Sequence, residues 1–340
     1  MRVIVVGGGM AGLVAARGLL RRGIEPLLVE RAPSTVRVTG PIMLPFQAYD
    51  ALEELGLLAG IRARGRDIPP HRNGNPVAIG VARQVVLESL REGLDIAWEQ
   101  ELVDLVRDGD RVAGVRLRGP EGEREAASDL VVGADGTMSR VRELAGIPAR
   151  TRTADTAFIS FRTDHVMDEP FHIRFLSDGR QMTLVGWPGG TAGGWQIERP
   201  PGGAEEALAP GLDAYRCAFV RLLPEAEAPL ATLTSIDDLH YREVTEVRCE
   251  TWWTPGVALV GEALHAMNPE VGIGSGLGMG DAQALAITVG RNPDDADAAC
   301  RDYEHWRRPA VQPYLAVGAQ ASKVISGGPL RDEERWPPVE

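Results

Sequence analysis

The run RVIVV at residues 2–6 is continuous, apolar and β-branched. That is the pattern of a strand buried on both faces of a parallel sheet. MAGLVAARGLLRRG then repeats apolar residues at helical intervals and stops at Gly23, a residue suited to close a helix. EPLLVE, ending at Glu30, is strand-like again, so the first thirty residues read as one β-α-β unit. Apolar periodicity predicts further helices over residues 47–55, with Gly56 as the stop, over 81–93, and over 213–223. Residues 61–80 follow neither period and read as an irregular surface excursion rich in Pro, Gly and Arg. Residues 95–136 are strand-rich. RDGDR and GPEGE are hairpin signals, giving a small antiparallel meander, and DLVVGA is another buried parallel strand.

From about residue 151 to 244 the pattern changes to period two, as in FHIRFL and QMTLVGW, separated by Gly/Pro-rich turns. This predicts a second, predominantly antiparallel lobe with one helix. GVALVGEALHAMNP returns to strand, loop and helix. Residues 295–325 carry a helical pattern with breaks expected at Pro309 and Pro313. The resulting division is a discontinuous first domain of residues 1–150 and 245–325, a sheet domain of 151–244, and a tail of 326–340.

Within the opening unit, Gly7, Gly9 and Gly12 stand in G-x-G-x-x-G spacing between strand and helix. Gly7 permits a tight turn, Gly9 lets backbone approach a pyrophosphate, and Gly12 lets the helix, with Met10 and Ala11 in its first turn, pack close to the strand. Glu30, followed by Arg31, lies where an acid accepts hydrogen bonds from an adenosine ribose and repels a 2′-phosphate, which favours FAD or NAD over NADP. Two later segments repeat the strand–glycine–acid logic: Asp135 and Gly136 in DLVVGADGTMSRVR, and Glu262 in GVALVGEALHAMNPEVGIGSG. Ligands of open α/β sheets sit beyond the carboxyl ends of the strands. The three turns are therefore expected to meet on one elongated ligand, and FAD has the length.

The net charge of −12 argues against a nucleic-acid grip or an anionic membrane surface. No apolar run is long enough to suggest a spanning helix, and the N-terminus does not read as a signal peptide. Cys217, Cys249 and Cys300 are odd in number and widely spaced, which fits a reducing cytoplasm and no metal cluster. Lys323 is the one lysine, near the C-terminus, so lysine-dependent chemistry, including that of a flavin halogenase, is disfavoured.

The segments GGGMAG, GADGTMSRVR and VALVGEALHAMNPEVGIGSGLGMGDA, in this order, resemble the three fingerprints of the group A, p-hydroxybenzoate hydroxylase-type, FAD-dependent aromatic hydroxylases. Weaker matches are LEELGLL, Arg83 and YEHWRRP. The resemblance implies an α/β fold: a Rossmann-like FAD-binding domain of the GR2 type, with an inserted antiparallel substrate domain and C-terminal helices. It implies that NAD(P)H, bound transiently without a Rossmann domain of its own, reduces FAD. The reduced flavin then takes O₂ at C4a, and the hydroperoxyflavin hydroxylates an aromatic or polyketide-like small molecule. It places Gly7, Gly9 and Gly12 on the pyrophosphate, Glu30 on the adenosine ribose, Arg83 near the pyrophosphate or ribityl chain, and Glu262 on the ribityl hydroxyls. Pro269, Gly272, Ile273 and Gly274 fall against the flavin ring, where amides stabilise negative charge. Asp281 is expected to open the following helix.

His265 is a candidate flavin-proximal group, with a structural role as the competing reading. On the second lobe, His172 and Arg174, and His240 with Tyr241 and Arg242, are candidates for facing a substrate cavity, against a solvated outer face. Trp252 and Trp253 read first as packing residues. Two departures from the family pattern bear on the cofactor. Glu262 replaces the usual Asp, and Gly276 replaces the usual Asn, which implies a more flexible turn and weaker flavin binding. These departures keep open a flavin-fold protein without redox turnover, serving as a cyclase, ligand carrier or partner subunit. A Baeyer–Villiger-type oxygenase on the same fold also stays open. The remaining expectations are a cytoplasmic monomer or homodimer and no metal.

Overall fold

The computed structural model describes residues 1–72, 74–269, 272–321, 331 and 334–336. Lys323 lies outside them.

Six strands form the first sheet, in the order Trp253–Thr254, Val257–Leu259, Leu130–Gly133, Val3–Val6, Leu27–Glu30, Ile96–Trp98. All neighbours run parallel except the first pair, which is antiparallel. Val3–Val6 and Leu130–Gly133 are buried throughout, as their unbroken apolar runs require. Two helices, Met10–Leu20 and Gly274–Arg291, pack on one another across a contact so close that a Cβ on Gly18 would lie 2.7 Å from that of Ala286. The antiparallel meander is present as Glu101–Asp108, Arg111–Gly119 and Gly122–Ala127, with its turns at both sequence signals.

Residues 61–80 depart from the expectation. After the short helix Leu58–Arg62, the strands Arg66–Arg72 and Asn75–Ala82 pair antiparallel, and Pro41–Pro45 completes a three-stranded sheet. The register shift between Ile68 and His71 absorbs Pro69 and Pro70, which had hidden the alternation. The expected helix breaks are also absent: Ala296–Ala321 is a single helix with Pro309 and Pro313 inside it.

A second core stands on the five-stranded sheet Phe171–Phe175, Gln181–Trp187, Gly190–Glu198, Ala149–Thr163, His240–Cys249. One face packs Phe161, Trp195 and Leu184 against Tyr215 and Phe219 of the helix Gly211–Leu222. Trp336, in the segment read as tail, enters this core, with its ring centroid 5.5 Å from that of Trp195 and its indole N–H donating to Ala207 O at 2.9 Å. The other face looks toward the first domain.

Candidate functional site

Three loop tips leave the carboxyl ends of neighbouring parallel strands and touch one another. Gly7 is left-handed (φ +113°), and a Cβ there would stand 2.4 Å from Ala134 O. A Cβ on Gly12 would stand 1.9 Å from Gly7 O, and one on Gly261 3.1 Å from the Cβ of Ala11. Only glycine backbone fits these junctions. Gly9 differs, because a Cβ there meets nothing within 4 Å and would project into open space. Gly9 is also the residue before the helix Met10–Leu20, whose N-terminus no side chain caps. An uncapped helix end beside open space suits a phosphate.

Along these tips runs a groove made of two adjoining cavities. One, of 370 Å³, is lined by Gly9, Met10 and Ala11 of the first tip, by Arg83 and Glu262, and by Gly274 and Ser275 at the start of the helix Gly274–Arg291. The other, of 460 Å³, is lined by Gly7, Arg31, Gln100, Asp135, Gly136 and Met138. Both include Gly9, Glu30, Ala134 and Gly136, so Glu30 stands between them. A larger open depression of 680 Å³ around Arg62 and Asp67 shares no residue with the tips.

Two of the three motif acids, Glu30 and Asp135, hold backbone. Glu30 accepts from Gly8 N–H at 2.6 Å and from Ala32 N–H at 2.8 Å. Each carboxylate oxygen keeps a second lone pair for a ligand hydroxyl. Asp135 accepts from Ser139 Oγ at 2.5 Å and from the amides of Arg140 and Val141, so its carboxylate is used to shape the second tip. Glu262 is exposed and accepts from Thr137 Oγ1 at 3.2 Å, joining the second and third tips. Arg83 starts the helix Arg83–Arg91, with its N–H donating to Gly40 O. Its side chain is open to solvent yet walled by protein, as on the side of a cleft. Burial first, then the charge of Arg242, lowers its pKa, with Glu262 opposing.

His265 does not line either cavity. It is buried, with Nε2 2.6 Å from Asp281 Oδ2 and its ring packed near Trp252. Asp281, wholly buried, also accepts from Arg307 Nε at 2.9 Å and from Gly261 N–H at 3.2 Å. This is a strut under the third tip. The expected helix start is corrected here too: the helix begins at Gly274, and Asp281 sits in its second turn, facing inward. Trp252 is packing, between His265 and Tyr303.

Gly272 is left-handed (φ +70°), and its N–H donates to Pro269 O at 2.8 Å. The Gly272 amide is therefore occupied within the turn. The donors left beside the groove are the first amides of the 18-residue helix Gly274–Arg291, whose N-terminus no side chain caps. Ile273 is the residue before that helix and packs on the core. Gly276 has a packing reason. A Cβ there would stand 2.7 Å from Pro45 Cγ, 3.0 Å from Gln47 Cβ and 3.1 Å from Ala48 N, which leaves no room for asparagine.

A third cavity, of 270 Å³, lies between the second sheet's open face and the first domain. Its floor includes Phe158, Ser160, Thr183, Val185, Gly194 and Arg242, and its roof Pro41, Met43 and Pro269. Residues directly paired across antiparallel strands share a face. His172 pairs with Leu184, and Arg174 with Met182, both in the helix-covered core, so His172 and Arg174 face away from the cavity. His172 Nδ1 accordingly lies 3.8 Å from Glu225 on the helical side. Tyr241 pairs with core residue Ile159 and donates to Glu243. It also faces away. His240 pairs with Ser160 and Arg242 with Phe158, on the cavity side. The missed residues of that face are Phe171, Ile173 and Phe175. Their alternation was visible, but not which set faced the cavity.

A family model described as FAD binding domain matches residues 1–75 and 79–316. The chloroplastic zeaxanthin epoxidase of an Oncidium hybrid cultivar is 26% identical over 381 residues, 96% of this chain. The chain spans 55% of that protein's length, about half, as with the other zeaxanthin epoxidases it matches. The 3-amino-4-hydroxybenzoate 2-monooxygenase of Streptomyces cremeus is 28% identical over 346 residues, covering 91% of this chain and 84% of its own. The crystal structure of PqsL from P. aeruginosa in complex with 2-aminobenzoylacetate superposes with a TM-score of 0.80 at 22% identity, covering 96% of both chains. This last likeness shows the fold.

Proposed function

The chain belongs to the FAD binding domain family, and from that premise we propose that it is an FAD-dependent monooxygenase. It uses NAD(P)H and O₂ to hydroxylate an aromatic or polyketide-like small molecule. The observation that carries this reading is the contact of three glycine tips along one groove, which Arg83, Glu262 and Gly274 also line.

The groove suits the cofactor, since Gly9 faces open space beside an uncapped helix N-terminus and no side chain fills that place. Gly7, Gly9, Met10, Ala11 and Gly12 hold the pyrophosphate in this reading. Glu30 and Arg31 hold the adenosine, with Asp135 and Gly136 forming the wall. Arg83 and Glu262 meet the ribityl chain. Pro269, Gly272, Ile273 and Gly274 lie along the ring. Bound FAD supplies hydride acceptance and oxygen activation. The protein's part is position, electrostatics and exclusion of water. The amides opening the helix Gly274–Arg291 present partial positive charge where the ring gains negative charge. Met43, Pro41 and Pro269 give the substrate space apolar surface opposite the sheet. His265 is a positioning residue, since its ring nitrogen bonds Asp281 and not the groove.

Among the described residues no helix is long and apolar enough to cross a membrane. With Cys217, Cys249 and Cys300 all free, this supports a place in the cytoplasm. Protein loaded with FAD is to be mixed with NADH or NADPH, ¹⁸O₂ and a panel of phenols. One ¹⁸O atom in a recovered product, with matching consumption of pyridine nucleotide, is the expected result. Binding of phenols without nucleotide consumption would favour a ligand carrier.

A further inference from the structure

The open face of the second sheet is chemically graded from strand to strand. One cross-strand row reads His240, Ser160, Gly194, Thr183, Ile173, each directly paired with the next. On the Phe171–Phe175 strand, Phe171 and Phe175 flank Ile173 on the same face. Ile173 is 39% and Phe175 65% exposed, although the strand's polar residues His172 and Arg174 face the helical layer. Apolar side chains thus face outward and polar ones inward, the reverse of a sheet meeting water on this side. At the opposite end stands Arg242, which has no carboxylate partner among the described residues and whose charge acts on Arg83. Gly194 in the middle, whose side of the sheet is shared with Ser160 and Thr183, keeps the floor low.

Resting on the oxygenase reading above, we propose that the substrate is an elongated amphiphile. Its aromatic ring lies over Ser160, Gly194 and Thr183, an anionic group points toward Arg242, and an apolar substituent lies along Ile173 and Phe175. The dimensions fit. The open cavity of 270 Å³ holds a substituted ring but not a long chain as well. Four inter-strand steps span about 19 Å, room for a ring and an extended chain. Charge complementarity fixes the orientation, since one end of the floor is a guanidinium and the other is hydrocarbon.

The test uses the FAD-loaded protein and equilibrium dialysis without pyridine nucleotide. The probes are 2-hydroxybenzoate, its 4-propyl, 4-heptyl and 4-undecyl derivatives, whose chain lies para to the carboxylate, and the matching benzamides. Affinity for the acids is expected to rise roughly twofold per methylene, the share expected for burial on one side only. Ile173→Ser with Phe175→Ser flattens that rise. Arg242→Gln weakens the acids about tenfold or more and leaves the amides unchanged. Affinity independent of chain length, or equal losses for acid and amide in Arg242→Gln, overturns the proposal. So does a Phe175→Ser variant that changes sedimentation while keeping the chain-length dependence, since the ledge would then be an interface between copies. Failure to take up FAD, or FAD uptake without oxygen transfer, is read separately and counts against the oxygenase assignment.

Discussion

Asp281 Oδ2 lies 2.6 Å from His265 Nε2, in a place closed to solvent, and the same oxygen accepts the N–H of Gly261 at the third tip. Burial alone would raise the Asp281 pKa, but His265 and Arg307 outweigh it and the net shift is downward. A carboxylate with a lowered folded pKa stabilises the fold above its unfolded value, and that stability is lost as pH falls through the folded pKa. Asp281→Ala leaves His265 and Arg307 without their shared partner and is expected to cost about 3–5 kcal/mol. Urea unfolding at neutral pH measures that loss. Repeated on the acid side, it should show the variant's stability falling less steeply with pH than the parent's.

Gly276 and Gly274 make a contrasting pair. Asparagine at 276 collides with Pro45, Gln47 and the Ala48 backbone, so Gly276→Asn is expected to destabilise by about 1–3 kcal/mol. A Cβ at Gly274 makes an ordinary 3.7 Å contact with Met267 Cγ, so Gly274→Ala should melt within a degree or two of the parent. Paired thermal melts of the two variants decide this.

Gly9→Ala separates cofactor binding from folding. Its backbone is extended (φ −76°, ψ 178°) and its Cβ would face open space, so the apo-protein should melt as the parent does. The methyl group would occupy the phosphate's place, and FAD affinity should fall about tenfold or more. Gly12→Ala, with its Cβ 1.9 Å from Gly7 O, should lose both affinity and stability. Melting curves beside FAD titrations check the difference.

The C-terminal segment is part of the second core. Trp336→Ala removes a buried ring and its hydrogen bond to Ala207 and should cost about 3–5 kcal/mol. Nearby, Glu334 is opposed by burial but bound by Arg331 and by Ser177 N–H, which lower its pKa to about 2. Its contribution is full above the ordinary carboxylate range and disappears as pH falls toward 2. Glu334→Gln should therefore destabilise at pH 7 and have little effect near pH 2, as read by chemical denaturation at each pH.

The first β-α-β unit, the meander and the three tips were legible because their signals are local: glycine spacing, unbroken apolar runs and turn dipeptides. The strands around Pro69 and Pro70 were not, because two prolines and a register shift erase the period-two pattern. The helix through Pro309 and Pro313 was missed because tertiary packing outweighs a local penalty. His172, Arg174 and Tyr241 show a phase problem. Alternation tells which residues share a face, not which face meets the cavity, and on the Phe171–Phe175 strand the apolar set faces outward. Glu30 and Asp135 were visible as motif acids, but their bonds to backbone amides depend on turns that only the folded loops define.

The account's central claim is that three separate segments build one FAD site. Quenching of FAD fluorescence, titrated with the purified chain, tests it most directly. The account predicts saturation at one FAD per chain with a dissociation constant of roughly a micromolar or below. No quenching at a large excess of protein, or equal quenching by Gly9→Ala and the parent, would contradict it.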